Sequence, residues 1–264
     1  LQPGGRSSNP AGEAFNGQIL KPSFKGIRAT DYAGNFEEFL NQVPQGQPFC
    51  FWLGTSEPHR SYQPGAGKLT GKDPAQAIVP PIFPDNDIVR NDILDYLVEV
   101  EHFDQMVAQA IAAIEARGEL NNTIVVITSD HGMPFPRAKA SLYDAGSRVP
   151  LAIRWPRGIE KSGRAVKSFV NLSDLAPTFL EMAGLDPPAA MTGLSLMDTF
   201  ASKPAFKRDA AFIAMERHDG CRKDGKGYPC RAIRTQDYLY IHNFESSRWP
   251  SGSPVLRESA VGCR

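Results

Sequence analysis

The chain has 264 residues, enough for one large or two modest domains, and its 29 basic side chains balance its 29 acidic ones. With 41% apolar residues this is an ordinary globular composition, and the balanced charge gives no electrostatic reason to expect a nucleic-acid or anionic-membrane partner. No apolar run approaches the roughly 20 residues that a membrane-spanning helix needs, and the N-terminal residues show no signal-peptide pattern.

The first sixty residues predict a loop, a helix and a buried strand, in that order. Residues 1–30 are rich in Gly, Pro, Ser and Asn and predict loop. Residues 34–42 carry apolar side chains at helical spacing. Residues 48–54 form an apolar run too short for a surface helix, which predicts a strand buried on both faces, with Cys50 as a core thiol. This strand leads into a loop that holds His59.

A long helix follows the Pro-rich loop of residues 64–90. The helix is predicted from about residue 87 to residue 117, and Gly118 is well placed to end it. One apolar stripe runs along it: Ile93, Leu97, Val100, Val107, Ile111 and Ile114. Asp104 falls on the same stripe, so its carboxylate is expected to be paired or hydrogen-bonded.

The most informative stretch is a second apolar run that ends in an acid, an imidazole and a glycine. Residues 123–127 are all β-favouring, which predicts a strand buried on both faces of a sheet covered by helices. Asp130, His131 and Gly132 follow at the carboxyl end, where open α/β sheets bind ligands. These residues fit either a metal-binding arm or an ordinary turn that uses Asp and Gly for backbone reasons.

The rest of the chain predicts further α/β structure and then a group of strands. Residues 151–155 predict a strand, and residues 171–184 predict a helix with a polar cap and a closing Gly184. Alternating apolar residues predict three more strands at 211–215, 230–234 and 238–243.

The residues around the acid–imidazole turn resemble a known family. Thr128-Ser129-Asp130-His131-Gly132 is followed by Lys139, by Leu142-Tyr143 and by Gly146-Ser147-Arg148-Val149-Pro150-Leu151. This series resembles the sulfatases of the alkaline-phosphatase-like superfamily, and its Pro134-Phe135-Pro136 insert looks most like the heparan N-sulfatase (sulfamidase) branch. The resemblance extends from about residue 9 to about residue 244. It implies an α/β fold with a mixed, largely parallel sheet flanked by helices, plus a small C-terminal antiparallel sheet.

The resemblance also implies roles for particular residues. Asp130 and His131 match metal ligands, with Ca²⁺ expected and another divalent cation possible, since His is an uneasy calcium donor. Lys139 matches the cation that contacts the transferring sulfate, and His59 matches a second sulfate contact or general acid. His218 matches a position on the rim of the substrate pocket, although an exposed polar loop explains it equally well.

The nucleophile of this family is formylglycine, made from a Cys or Ser in a Cys/Ser-x-Pro/Ala-x-Arg motif. Cys230-Arg231-Ala232-Ile233-Arg234 fits that pattern literally, but it follows the metal arm and lies in a predicted strand, so we interpret it as non-catalytic. The formylglycine is therefore expected in an N-terminal region missing from this chain. On this interpretation the complete protein is a sulfuric ester or sulfamate hydrolase, and the 264 residues by themselves are inactive.

The resemblance suggests residues 1–205 as part of the catalytic α/β domain and residues 206–264 as the start of a smaller C-terminal subdomain. Its implied partner is a sulfated small molecule or glycan, and its implied location is periplasmic, extracellular or lysosomal. Cys221 and Cys230 bracket a short loop that a disulfide could close. Two alternatives stay open: a non-catalytic fragment or pseudoenzyme that binds a sulfated glycan, and a related metal-dependent phosphoester hydrolase.

Overall fold

The computed structural model describes residues 12–201, 208–218 and 222–248. The chain divides into two compact units, the first ending at Leu120 and the second beginning at Asn121. This division differs from the predicted one at 205/206, which stays a prediction. Within the described ranges, none of the helices is both long enough and apolar enough to cross a membrane.

The first unit is helical. Its helices are α1 (Tyr32–Gln42), the single turn α2 (Ala66–Leu69) and α3 (Asp87–Ala116), and a 3₁₀ turn spans Pro74–Gln76. Both long helices begin at a side-chain cap, since Asp31 accepts the N–H of Gly34 and Asn86 accepts the N–H of Val89. The helices predicted at 34–42 and 87–117 are therefore confirmed.

Helix α3 is the element against which α1 and α2 pack. Its buried face is Ile93, Leu94, Asp95, Val98, Glu99, Met106, Ala110 and Ile114. The predicted apolar stripe was partly wrong, because Leu97 is exposed, and Asp104 is exposed as well and needs no buried partner. The spacing of apolar residues predicted the helix correctly, but the elements packed against α3 decide which of its faces is buried.

The run 48–54 does not form a strand within the described residues, so that prediction was wrong, although burial alternates along it. Alternate side chains of an extended chain point to opposite sides. Phe49 and Phe51 pack on the rings of Phe36 and Phe39 in α1, at centroid distances of 4.7 to 6.4 Å. On the other side Trp52 is 88% exposed. Cys50 is also exposed and is not the predicted core thiol.

The described residues of the second unit form two antiparallel sheets and three short helices. Strand β1 (Val125–Thr128) pairs with β2 (Leu151–Arg154), and the second sheet has the order β3 (Ala210–Met215), β4 (Cys230–Thr235) and β5 (Leu239–Asn243). The helices are α4 (Asp144–Ser147), α5 (Leu175–Met182) and α6 (Met197–Phe200). The predicted helix at 171–184 is represented by α5 and a 3₁₀ turn, Leu172–Asp174, directly before it.

The strand predictions of this unit had mixed outcomes. The three C-terminal strands and their antiparallel pairing are confirmed. Strand β1 is half-buried at all four residues, so the prediction that both faces are buried was wrong. All the strand pairs among the described residues are antiparallel, and the predicted parallel pairing is not among them.

Candidate functional site

The Asp130-His131 turn follows β1 directly. Ser129 Oγ donates to the His131 carbonyl oxygen at 2.7 Å, which fixes the backbone of the turn. His131 Nδ1 lies 2.8 Å from the Gly132 carbonyl oxygen. Because a carbonyl oxygen only accepts, Nδ1 carries the proton and Nε2 keeps its lone pair in the neutral ring. The side chain of Asp130 is 85% exposed, and its Oδ1 lies 3.7 Å from His131 Nε2.

Gly132 closes the loop that carries Lys139. The Gly132 N–H donates to the Gly146 carbonyl oxygen at 2.9 Å, and a Cβ on Gly132 would lie 1.8 Å from the Ala145 carbonyl oxygen. The Lys139 N–H donates to the Met133 carbonyl oxygen at 3.1 Å. The backbone of Lys139 therefore returns to within two residues of His131, and the predicted metal and sulfate residues share one closed loop.

Lys139 sits in a strained part of this loop. Arg137, two residues before Lys139, has φ +62°, and the following Ala140 has φ +58°; non-glycine residues rarely adopt such left-handed conformations. Ser141 Oγ donates to the carbonyl oxygens of Arg137 and Ala138, each at 2.9 Å. Such conformations cost about 1–3 kcal/mol each and persist where the surroundings hold them, which is common at functional sites.

The loop is anchored on the three-stranded sheet. Leu142 packs with Cys230 and Ala232 on the inner face of β4. Arg234 donates from Nε and Nη2 to the two carboxylate oxygens of Asp144, at 2.8 and 3.0 Å. This hydrogen-bonded guanidinium holds the pKa of Asp144 below its usual range.

These contacts give structural roles to the two end residues of the stretch 230–234, which fits the maturation motif literally. Cys230 is buried, and burial raises the pKa of its thiol, which disfavours the reactive thiolate. Arg234 is the partner of Asp144. Both ends of the pattern therefore have structural roles. The Cys221–Cys230 disulfide prediction falls on Cys221, which lies outside the described residues.

His59 belongs to the first unit and lies in a turn whose backbone is held by hydrogen bonds. The His59 N–H donates to the Ser56 carbonyl oxygen at 2.9 Å, and the Ser56 N–H donates to Tyr32 Oη at 3.0 Å. Tyr62 Oη donates to the Pro58 carbonyl oxygen at 3.0 Å. The His59 ring is exposed, and its Nδ1 lies 2.5 Å from the Arg60 carbonyl oxygen, which makes Nε2 the atom able to exchange a proton.

A second stretch, Ser56-Glu57-Pro58-His59-Arg60, also fits the maturation pattern literally and was not considered among the sequence-based predictions. Arg60 forms a two-bond ion pair with Asp92, one bond measuring 2.8 Å, and its guanidinium lies over the Tyr62 ring at 4.7 Å. We interpret this arginine, like Arg234, as structural.

His218 is half-buried and follows β3 by three residues, with residues 219–221 outside the described ranges. Its pocket-rim role stays a prediction. Two buried carboxyl groups near His59, those of Glu57 and Glu99, were also missed as candidates. The sequence does carry a signal for Glu99, because it lies one helical turn from Asp95 on the apolar side of α3, where a carboxyl group is unexpected.

The donor set of the turn fits part of a site for a divalent cation. Asp130 supplies an exposed carboxylate, and His131 supplies a ring nitrogen on the same side, held in one tautomer by its backbone bond. Calcium takes six to eight oxygen ligands, far more than two. Within the described residues, no group of three or more His, Cys, Asp or Glu side chains is arranged to hold a metal ion.

Comparison with known proteins shows the family. Residues 6–185 match the sulfatase family model, and residues 132–250 match the model described as N-sulphoglucosamine sulphohydrolase, C-terminal. The first match covers more than half of the chain. The chain belongs to the sulfatase family.

Individual relatives agree with this assignment. The chain is 26% identical over 232 residues to human N-sulphoglucosamine sulphohydrolase, covering 76% of this chain and 45% of that protein. It is 30% identical over 195 residues to an ulvan-active sulfatase of Formosa agariphila, covering 70% of this chain and 31% of that protein. The chain therefore spans less than half the length of either relative.

Solved structures show the same fold. One neighbour is a protein solved in complex with its substrate D-glucosamine-2-N,6-O-disulfate, with a TM-score of 0.65 and 22% identity, covering 80% of this chain and 59% of that one. At this identity the likeness concerns the fold. It confirms the predicted α/β, sulfatase-like fold class, whereas the roles of Asp130, His131, Lys139 and His59 stay predictions.

Proposed function

We propose that the whole protein hydrolyses sulfate esters or sulfamate groups of a sulfated glycosaminoglycan. Family membership supports the reaction class. The relative named N-sulphoglucosamine sulphohydrolase and the structural neighbour with a disulfated glucosamine support the substrate class. The observation that carries the proposal is the closed loop, which joins the exposed carboxylate of Asp130, the ring nitrogen of His131 and the backbone of Lys139.

In this proposal Asp130 and His131 Nε2 are two ligands of a divalent cation, with calcium expected first. The bound ion supplies Lewis-acid neutralisation of sulfate oxygens. The ammonium group of Lys139 adds positive charge near the group being transferred, where it stabilises developing negative charge. His59 exchanges a proton through Nε2, because its Nδ1 is committed to the Arg60 carbonyl oxygen.

The nucleophile in this proposal is a formylglycine hydrate supplied from outside residues 1–264. Cys230 is a buried strand residue, and the arginines of both literal motif matches are bound to aspartates. We therefore expect no aldehyde at position 56 or position 230, which mass spectrometry of the purified whole protein would detect. An extracytoplasmic location stays a prediction.

Sulfate release by the whole protein tests the function. N-sulfoglucosamine and an aryl sulfate are assayed side by side, because they separate sulfamate from sulfate-ester cleavage. Asp130→Asn should lower kcat at least about a hundredfold and weaken calcium binding measured by calorimetry, since it removes a charged ligand. Asp186→Asn, an exposed aspartate in the same unit, is the matched control. Wild-type activity in Asp130→Asn would exclude the metal assignment, and no hydrolysis by the wild type would exclude the function.

A further inference from the structure

Two buried carboxyl groups lie in the first unit next to the turn that carries His59. Glu57 is 4% exposed and Glu99 is 2% exposed. Glu57 Oε1 accepts the N–H of Arg28 at 2.7 Å, but its Oε2 has no partner. Neither carboxyl oxygen of Glu99 has a partner. Three unpartnered buried oxygens are too costly to be left as ionised acceptors.

The position of Glu99 points at the residues around His59. Gly26, with φ +105°, lies against the Glu99 carboxyl group and the Ser61 carbonyl group. A Cβ placed on Gly26 would be 2.8 Å from Glu99 Oε1 and 2.3 Å from the Ser61 carbonyl oxygen. Two acceptor oxygens therefore border the same small space. A proton on Glu99 would turn one of them into a donor, and a hydrogen bond to the Ser61 carbonyl or to Glu57 would then become possible.

We propose that Glu99 is a buried, neutral carboxylic acid that donates a hydrogen bond to the turn of residues 57–61 and so positions His59. Its proton goes to Glu57 Oε2 or to the Ser61 carbonyl oxygen, each two residues from His59. Glu57 Oε1 keeps its hydrogen bond from the Arg28 N–H. This proposal rests on the proposed function, because it makes Glu99 a positioning residue for the proton exchange at His59.

The surrounding charges favour this protonation state. Burial, reinforced by the charge of Glu57, raises the pKa of Glu99 from 4.5 to about 8. Tyr62 faces the same space and stays neutral, because burial raises its pKa. The cation of the turn, Arg60, is already paired with Asp92. His102, one turn along α3, has a buried Nε2 with no hydrogen-bond partner.

Three variants of the whole protein separate positioning from simple loss of structure. Glu99→Gln keeps a hydrogen-bond donor but cannot ionise. Glu99→Met keeps the volume and removes the donor. Glu101→Gln is the control, because Glu101 lies on the same helix and pairs at the exposed surface with Lys72. Thermal unfolding shows which variants fold.

Infrared difference spectra between pH 6 and pH 10 give the first test, and they need no substrate. The wild type and Glu101→Gln should show a protonated-carboxyl band at pH 6 that disappears on the alkaline side, and Glu99→Gln should lack it. A nuclear magnetic resonance titration of the His59 ring should show a second inflection near pH 8 in the wild type that is missing in Glu99→Gln. Absence of this band in the wild type overturns the proposal, and a cation bound between Glu57 and Glu99 that keeps both carboxylates ionised would give that result. The same band in Glu99→Gln overturns the proposal as well.

Kinetics give the second test. Glu99→Met should lower kcat about tenfold or more while KM changes less than about threefold, since substrate contacts are untouched. Glu99→Gln should retain most of kcat at pH 7 and keep it above pH 8, where the wild type declines. Unchanged kcat in Glu99→Met overturns the positioning role, and if that variant does not fold, the pH profile of Glu99→Gln decides. If the wild type cleaves neither substrate, the proposed function fails, whereas the infrared and His59 measurements still judge the acid pair.

Discussion

Asp174 gives the sharpest stability test of the second unit. It is fully buried, at 0% exposure. Its Oδ1 accepts the Leu194 N–H at 2.8 Å and an N–H of the Arg208 guanidinium at 2.7 Å, and its Oδ2 accepts the Asn171 N–H at 2.8 Å. One carboxylate thus joins the start of α5 to two segments that are distant in sequence. The perturbation is Asp174→Asn, which keeps the shape and removes the charge.

The magnitude follows from the three bonds. An amide has one accepting oxygen, so in either orientation its NH₂ group faces a donor at the other position. At least one of the backbone N–H groups of Asn171 and Leu194 loses its acceptor, at a cost of about 1–3 kcal/mol. Arg208 also loses a partner with which it forms a buried ion pair, and breaking such pairs costs about 3–5 kcal/mol. We expect a total loss of at least about 4 kcal/mol in the free energy of unfolding, the lower end of the summed costs.

The assay is chemical and thermal unfolding of the whole protein. A loss of about 4 kcal/mol should lower Tm by roughly 8–16 °C if the affected unit unfolds as one domain of this size. Asp186→Asn makes the same chemical change at an exposed position of the same unit and should change stability by less than about 0.5 kcal/mol. If Asp174→Asn is as stable as Asp186→Asn, the three hydrogen bonds do not carry the energy assigned to them.

The remaining predictions concern one charge each. Lys139→Met should lower kcat about a hundredfold and Lys139→Arg should recover part of it, as steady-state kinetics would show; equal rates for both would contradict the charge role. Arg234→Met should lower stability in urea unfolding more than the exposed Arg231→Met does, because Arg234 holds both Asp144 oxygens. Glu99, with its pKa raised to about 8, gives stability that is present below pH 4.5 and lost as pH rises to about 8. The stability of Glu99→Gln relative to the wild type should therefore increase over that pH range, and parallel curves would refute this.

Local patterns predicted the elements of this chain well. Helix α3, helix α5 and the strands β3 to β5 all appear within a few residues of their predicted bounds. Each depends on a short-range signal: helical or alternating spacing of apolar residues, a capping side chain, or a closing glycine. The family resemblance was likewise carried by residues within one continuous stretch, around Asp130 and Lys139.

Burial was predicted less well, because it depends on residues far away in the sequence. Residues 48–54 are apolar on both sides, yet within the described residues α1 covers the side of Phe49 and Phe51, while Cys50 and Trp52 are exposed. The phase of the α3 stripe is likewise set by α1 and α2, which no spacing within α3 reveals. The surroundings of the Glu99 carboxyl are likewise set by Gly26 and Ser61, which are distant from it in sequence.

Catalytic groups need a geometry held to about 1 Å, and these predicted groups are held mainly through their backbones. Ser129 Oγ fixes the carbonyl of His131, and the Met133 carbonyl fixes the N–H of Lys139. The backbone of the turn that carries His59 is hydrogen-bonded to the hydroxyl groups of Tyr32 and Tyr62. In both histidines Nδ1 lies within hydrogen-bond distance of the carbonyl oxygen of the next residue, so Nδ1 carries the proton in the neutral ring. Short motifs identify such side chains, but some of the hydrogen bonds that position them, such as those of Tyr32 and Tyr62 around His59, are made by residues outside those motifs.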